Sequence, residues 1–246
     1  MSFLAFEVLA LLVQGDEVRL RTAYVKDQKF SVTVDLEFAG APEYVDAFGM
    51  AKLHAALDVV MKEGGASSAA FRELSGKGLI KDKGEKRTWS YDLQWKAGTD
   101  FRKTLLSGPP IKEVEQARDD LNQAFRTTWT VKPKALEASV EEKTESWSFL
   151  KKWASHLFLL PGPLPFAERK VKKGQTFEEA GLAWTVEEIK PGKDSTVTIV
   201  AGKSKEKRVK VGVDSRGFLA SIELENFERE GDPPVLKVSG QASLKP

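Results

Sequence analysis

The sequence predicts a mainly β protein whose antiparallel sheets form an open half-barrel or a sandwich in two modules. Apolar and polar residues alternate strictly over 29–39, which is typical of a strand with one buried face. After residue 165, short strand patterns follow one another between Gly and Pro turns. A strand-opening phrase, Lys-[Asp/Gly]-Gln-x-Phe, also occurs twice, at 26–30 and at 173–177.

Two more strand patterns lie in the N-terminal half. Residues 17–25 alternate, and the link 26–28 is short enough to form a hairpin turn between this strand and the strand at 29–39. Residues 87–95 place four large apolar side chains on one face, so a strand is expected there as well.

The segment 41–65 supports two interpretations. Pro42 near its start, five alanines and the closing Gly64 and Gly65 are typical of a helix. Apolar residues also alternate with polar ones between Leu53 and Met61, which is typical of a strand. Because the surrounding segments are strands, we predict a strand over 51–62 followed by a hairpin turn.

Short helices are expected near 111–125 and 146–160. The first follows Pro109 and Pro110, has acidic residues in its first turn and presents one apolar stripe. The second has Trp and Leu residues at helical spacing and stops at the Pro-rich stretch 161–165.

The stretch 161–165 is also the best candidate for a module boundary. It would separate an N-terminal β module with helical insertions, 16–165, from a C-terminal antiparallel β module, 166–246. Each module has one copy of the repeated phrase near its start. The match is five residues long, so a structural repeat and a chance similarity both remain open.

Residues 1–15 form either a signal sequence or a first strand. The run 3–13 is apolar except for Glu7, and it is too short to span a bilayer. It has the length of a signal-peptide core, with Val13 and Gly15 where small residues precede cleavage. It lacks a basic leading region, so a buried strand is the alternative. No other apolar run in the sequence is long enough for a membrane span.

Composition excludes several functional classes. The chain has 246 residues, a net charge of +2 and no cysteine. The absence of cysteine excludes disulfides, thiol nucleophiles and cysteine-type zinc sites, and it fits both the cytoplasm and the bacterial periplasm. The nearly balanced charge gives no case for nucleic-acid binding, which needs a large excess of Lys and Arg.

Several phrases resemble a family of bacterial cell-envelope proteins of unknown function. Residues 163–166 with 171–177 are similar to the family phrase "LP..pVkvGdsW", and 27–32 is similar to its "kkGqkyry" strand. Lys134 stands where the family has a glycine after the proline of another strand. The resemblance implies export and a β-rich fold similar in style to lipoprotein-carrier half-barrels. It implies no reaction.

The sequence provides no recognisable catalytic or metal-binding motif, so we expect no catalytic residue, metal or cofactor. The two histidines, His54 and His156, are about a hundred residues apart, whereas a histidine metal site needs several converging ligands. Nucleophile and phosphate-loop motifs are missing. Paired acids are adjacent in sequence and point to opposite faces of a strand, although acids from different strands could still meet.

Aromatic and basic residues are the remaining candidates for binding. Four tryptophans could line a ligand site on the concave face of a half-open sheet: Trp89, Trp95, Trp147 and Trp153. The basic run from Lys203 to Lys210 is expected to be the wet face of an edge strand, and it could also contact an anionic surface.

We therefore expect a non-enzymatic, exported β protein that binds a hydrophobic ligand, such as a lipid, or an envelope protein. Its expected location is the periplasm or the cell envelope, with the cytoplasm as the alternative. Two other hypotheses remain: an adaptor that uses an exposed strand edge, and a hydrolase that uses converging carboxylates.

Overall fold

The computed structural model describes residues 17–37, 50–82, 87–99, 102–105, 123, 125–141, 154–191, 195–205, 207–225 and 237–245. Within these residues the chain forms fifteen strands: β1 Val18–Leu20, β2 Lys29–Glu37, β3 Met50–Met61, β4 Ser67–Asp82, β5 Arg87–Lys96, β6 Arg102–Leu105, β7 Thr128–Lys134, β8 Glu137–Val140, β9 Arg169–Val171, β10 Thr176–Glu179, β11 Leu182–Pro191, β12 Thr196–Lys203, β13 Arg208–Asp214, β14 Leu219–Glu225 and β15 Lys237–Leu244. A short 3-10 turn, Glu63–Gly65, joins β3 to β4. Residues 123, 125–126 and 154–157 are helical.

Most of the strands belong to one antiparallel sheet. Its order is β10-β11-β12-β13-β14-β15-β2-β3-β4-β5-β6. The long strand β4 pairs with β7 at its start and with β5 further along, so the sheet branches there, and β8 extends the branch. Among the described strands, β10 and β6 form opposite ends of this order and do not pair with each other. The predicted mainly β, antiparallel and open architecture is therefore confirmed.

The sheet has one apolar face, which we call the inner face. Along β2, the inner side chains of Phe30, Val32, Val34 and Leu36 are buried, whereas the alternate side chains are at least partly exposed. The same alternation continues in β3, where Leu53, Ala55 and Leu57 face inward opposite β2. A sheet with one apolar face must cover it, because each large apolar side chain gains roughly 1.5–3 kcal/mol on burial.

Residues 154–166, which we call the strap, cover the inner face. The ring of Phe158 packs 5.9 Å from that of Phe71 on β4. Leu160 lies over β15, where a Cβ added at Gly240 would stand 3.2 Å from its Cδ1. The ring of Phe166 packs 5.0 Å from Trp184 on β11. The strap therefore crosses from the N-terminal strands to the C-terminal strands.

The first copy of the repeated phrase forms a β-turn at 25–28. The N–H of Gln28 donates to the carbonyl of Val25 at 3.2 Å, and the side-chain Oε1 of Gln28 accepts from the N–H of Val25 at 2.8 Å. Asp27 has a φ of 67°, the left-handed conformation that type II turns require at their third position. Two backbone bonds between this turn and Met61 then start the β2–β3 pairing.

The second copy forms the same turn at 172–175. Gln175 donates its N–H to the carbonyl of Lys172 at 3.0 Å and accepts from the Lys172 N–H through Oε1 at 3.0 Å. Gly174 takes the left-handed position with a φ of 81°. Two backbone bonds to Val186 start the β10–β11 pairing, as Met61 does for β2–β3. The two phrases thus fold into equivalent turns that open equivalent hairpins.

The structure bears on four further predictions. The ambiguous segment is strand β3, Met50–Met61, and the prediction of strand over helix is confirmed where the structure describes it. Strand β5, Arg87–Lys96, is confirmed too. The predicted helix 146–160 is helical at 154–157 and leaves the helix at Phe158, and its earlier residues lie outside the described ones. Of the predicted helix 111–125, only residues 123 and 125 are described, and both are helical.

The predicted hairpin between 17–25 and 29–39 is wrong. The first strand is limited to Val18–Leu20, and it pairs with Arg169–Val171 of β9 as a separate two-stranded ribbon. Strand β1 cannot pair with β2, because the two edges of β2 are occupied by β15 and β3. Residues 21–24 instead form a link outside the strands that leads into the turn at 25–28.

Tyr24 fastens this link to the sheet. Its ring packs between Phe30 and Phe218 at centroid distances of 5.8 and 5.7 Å. Its hydroxyl accepts a hydrogen bond from the N–H of Leu219 at 3.0 Å. Burial raises the pKa of Tyr24 well above its ordinary value, and backbone hydrogen bonds at Leu219 and Gly162 counter this effect only in part.

We expect Gly174→Ala to lower the free energy of unfolding by about 1 kcal/mol, because an L-residue at this positive φ is strained. No neighbouring atom lies within 4 Å of the added Cβ, so the cost is conformational. Urea denaturation measures it. Asp27→Gly is the matched control: it relieves the same strain in the other turn and should leave stability within about 0.5 kcal/mol of wild type or raise it. Equal stability of Gly174→Ala and wild type would contradict the equivalence of the turns.

We expect Tyr24→Phe to cost about 1 kcal/mol at neutral pH, because the buried N–H of Leu219 loses its acceptor. Since folding raises the pKa of Tyr24, its contribution is complete below about pH 10 and declines above it, where the unfolded chain ionises first. The variant should therefore lose less stability than wild type between about pH 9 and pH 11. Urea titrations across this range test it, and parallel pH profiles would count against the assignment.

Candidate functional site

Of the four tryptophans predicted to line a ligand site, the structure describes the side chain of one. The side chain of Trp89, and Trp147 and Trp153 entirely, lie outside the described residues. Trp95 lies on the inner face of β5 and is 3% exposed. Its ring centroid is 5.6 Å from that of Phe125. It therefore lies inside a packed region of the protein rather than on an open concave surface.

Trp95 belongs to an aromatic cluster that joins three parts of the fold. Phe125 packs 5.7 Å from Phe71 on β4, and Phe71 packs 5.9 Å from Phe158 of the strap. Phe158 in turn lies 5.8 Å from Trp129 on β7. We call these five residues the aromatic cluster. The tilted and edge-on rings pack at the distances that aromatic side chains favour, so the strap is anchored here mainly by apolar contacts.

Two buried polar groups at this cluster, on Trp95 and on Ser155, have no partner among the described residues. Within the described part of the chain, neither the indole Nε1 of Trp95 nor the hydroxyl of Ser155 has a hydrogen-bond partner. Ser155 is 7% exposed and lies one helical turn before Phe158, on the same side of that turn. A buried donor without an acceptor costs roughly 1–3 kcal/mol. A ligand oxygen placed here would recover part of that cost.

The sequence pattern did not single out Ser155. It stands beside His156 in an apolar run, where two polar residues interrupt the side of the predicted helix. That interruption is the signal that would have identified it. The hydroxyl of Ser155 has a free-energy cost only because the strap is buried and removes it from water.

Another buried hydroxyl lies in the C-terminal strands. Thr198, on the inner side of β12, is fully buried, and the described residues offer its Oγ1 no hydrogen-bond partner. It lies outside the aromatic cluster. Its effect on the free energy of unfolding therefore serves as a reference for a buried hydroxyl outside the aromatic cluster.

The two histidines are not brought together. His156 is buried in the strap, on the inner side of the sheet. His54 lies on the outer face of β3, where its Nδ1 is 2.7 Å from Oδ1 of Asp35. They cannot share a metal ion from opposite faces of one sheet.

A polar cleft of about 500 Å³ lies on the outer face of the central strands. Asp35 and Glu37 of β2 face it, and each pairs across to β3, with His54 at 2.7 Å and with Lys52 at 2.9 Å. Asp92 of β5 lines the same cleft. Cross-strand pairs of opposite charge are an ordinary way to stabilise a sheet surface. Asp35 and Glu37 thus have a structural explanation and give the hydrolase hypothesis no support, whereas Oδ1 of Asp92 is buried and has no hydrogen-bond partner among the described residues.

The expectation that the basic run 203–210 is an edge strand is wrong. Lys203 ends β12 and Arg208 begins β13, and β13 pairs on both sides. The run is the tip of a hairpin. Lys210 lies 3.1 Å from Glu187, and this hydrogen bond raises the pKa of Lys210. Its contact with an anionic surface stays a prediction.

We expect Ser155→Ala and Thr198→Val each to raise the free energy of unfolding by about 1 kcal/mol. Each change removes a buried hydroxyl that has no partner among the described residues and keeps nearly the same shape. Thermal or urea denaturation measures the gain. A loss of stability in either variant would show that its hydroxyl is hydrogen-bonded in solution.

None of the helices in the described residues is long and apolar enough to cross a membrane. Comparison of the chain with family models, with curated proteins and with solved structures finds no match. Its resemblance to envelope proteins therefore rests on the strand-opening phrases alone, and its function has to be argued from the geometry.

Proposed function

We propose that the protein is a non-enzymatic, exported β protein that binds an apolar ligand between the inner face and the strap. The observation that supports this most directly is the pair of buried donors, Trp95 Nε1 and Ser155 Oγ, that lack an acceptor within the described residues beside the aromatic cluster. An apolar ligand with one carbonyl or ester oxygen would fill such a site and accept from these donors.

The way the strap is held supports its displacement by a ligand. Residues 154–166 add no strand to the sheet, so lifting them breaks no ladder of backbone bonds. Among the described residues, their hydrogen bonds to the rest of the chain include one from the N–H of Leu164 to Thr22 Oγ1 at 3.3 Å and one between the Gly162 backbone and Tyr24. Segments held by few such bonds open at lower free energy than the strands beneath them.

The ligand must itself be apolar to replace the strap. Leu157, Leu159 and Leu160 are all buried, and exposing each one costs roughly 1.5–3 kcal/mol. Only a ligand that buries a comparable apolar surface against the inner face can offset that cost. A chain of fatty-acyl type has this property and also has the single polar end that the two donors require.

Export and an envelope location are part of the proposal. The apolar run 3–13, the lack of cysteine and the resemblance of the strand-opening phrases to envelope proteins support them. The partner would be an envelope protein that delivers the ligand to this protein or receives the ligand from it. The adaptor alternative has weaker support, because the end strands β10 and β6 have only four residues each and offer a short edge.

Native mass spectrometry of the protein purified without detergent tests the proposal. We expect a bound apolar molecule that is lost on denaturation, and a chain shortened at its N-terminus after expression in a bacterium that exports it. Ligand-free protein that also fails to bind a fluorescent fatty acid would overturn the ligand proposal. An intact N-terminus on protein that stays in the cytoplasm would overturn export.

The site itself is tested with the fluorescent fatty acid. Trp95→Phe and Ser155→Ala should each weaken binding by about five- to tenfold, because each removes one hydrogen bond to the ligand. Trp184→Phe is the matched control: the Nε1 of Trp184 already donates to the carbonyl of Glu179 at 3.0 Å, so no donor for the ligand is lost. Thr198→Val is the control for Ser155→Ala. Equal affinities in all four variants would exclude the cluster as the site.

A further inference from the structure

A second site is suggested by a basic groove at the ribbon of β1 and β9. This groove has a volume of about 960 Å³ and lies between the ribbon and the ends of β11 and β12. Five basic side chains and one acid line it: Arg19, Arg21, Lys172, Lys173, Lys190 and Glu17. They come from three segments that are far apart in the sequence, so no single basic run predicts the groove.

The cations of the groove are only partly neutralised. Glu17 lies 3.8 Å from Lys170 and from Lys172, and Lys190 lies 3.0 Å from Glu188. Arg19 pairs with Glu168. Arg21 and Lys173 have no ion-pair partner among the described residues. Among these described residues, six cations stand against three acids, so three positive charges remain in excess.

Apolar side chains line the groove together with the charged ones. They are Val18, Ile189 and Pro191. A small inorganic anion would use the charges but leave these apolar side chains uncovered and most of the volume empty. An amphiphile with an anionic phosphate and an acyl chain matches both features, and basic side chains gain about 1 kcal/mol each near an anionic lipid surface.

We propose that the groove docks the protein on an anionic phospholipid surface, with Arg21 and Lys173 as the principal contacts. The turn that opens the C-terminal hairpin presents Lys173 at its tip, and the left-handed Gly174 beside it gives this turn its shape. The second copy of the repeated phrase thereby has a role in binding. The groove shares no residue with the aromatic cluster. The test of the groove is therefore independent of the test of the proposed apolar ligand.

Co-sedimentation with vesicles tests the docking. The full chain should bind vesicles of phosphatidylcholine with phosphatidylglycerol, should not bind pure phosphatidylcholine, and should lose affinity as salt is raised. Arg21→Gln combined with Lys173→Gln should weaken binding roughly thirtyfold. Each cation contributes about 1 kcal/mol of binding free energy near an anionic surface, and about 1.4 kcal/mol corresponds to a tenfold change in affinity. Both side chains are exposed, so the fold should survive, and thermal denaturation checks this.

The matched control is Lys203→Gln combined with Lys205→Gln, which removes the same net charge at the hairpin tip. Its binding should stay within about threefold of wild type, because the tip is not part of the groove. Loss of binding in this control but not in the groove variant would show that the 203–210 run, and not the groove, contacts the vesicle surface. Equal binding to both kinds of vesicle would overturn the proposal. So would tight binding of inorganic phosphate without vesicle binding, which would make the groove a free-anion site.

Discussion

The pairing of β15 with β2 is the interaction on which the rest of the structure depends. Eight consecutive antiparallel pairs join Lys237–Leu244 to Lys29–Glu37, so strands about two hundred residues apart become neighbours. Without this seam, the strands before and after the strap would be two separate meanders, each with one uncovered apolar face. With it, the inner face is continuous, and one strap can cover both halves. Gly240 lies at the seam and leaves room for Leu160.

A strap, rather than a second sheet, covers the inner face. A second sheet would satisfy its own backbone through a ladder of bonds, whereas the strap reaches the sheet chiefly through side chains. Its polar residues are buried together with its leucines, and Ser155 has no partner among the described residues. Burial without a partner is costly, and under the proposed function a ligand that supplies an acceptor would recover part of that cost.

The strands could be predicted from the sequence because their alternation is a local property. The β3 segment shows the limit of this logic: its alanines favour helix, and only the neighbouring strands decided in favour of sheet. The repeated phrase was also visible, but its meaning was not. Five matching residues could be chance, whereas two turns with the same glutamine cap and the same left-handed third residue form a structural repeat.

The candidate sites were less predictable than the fold. Trp95 is predicted from its aromatic character, but its place in the proposed site comes from an indole nitrogen that has no partner among the described residues, which depends on what packs around it. The basic groove combines β1, the second turn and the end of β11, and the predicted hairpin had assigned β1 to a different partner. The sequence by itself determined the period-two pattern, the turn chemistry and the nearly balanced charge, because these depend on neighbouring residues. The tertiary structure alone decided which edges pair, which polar groups lose water and which cations meet, because these depend on long-range packing.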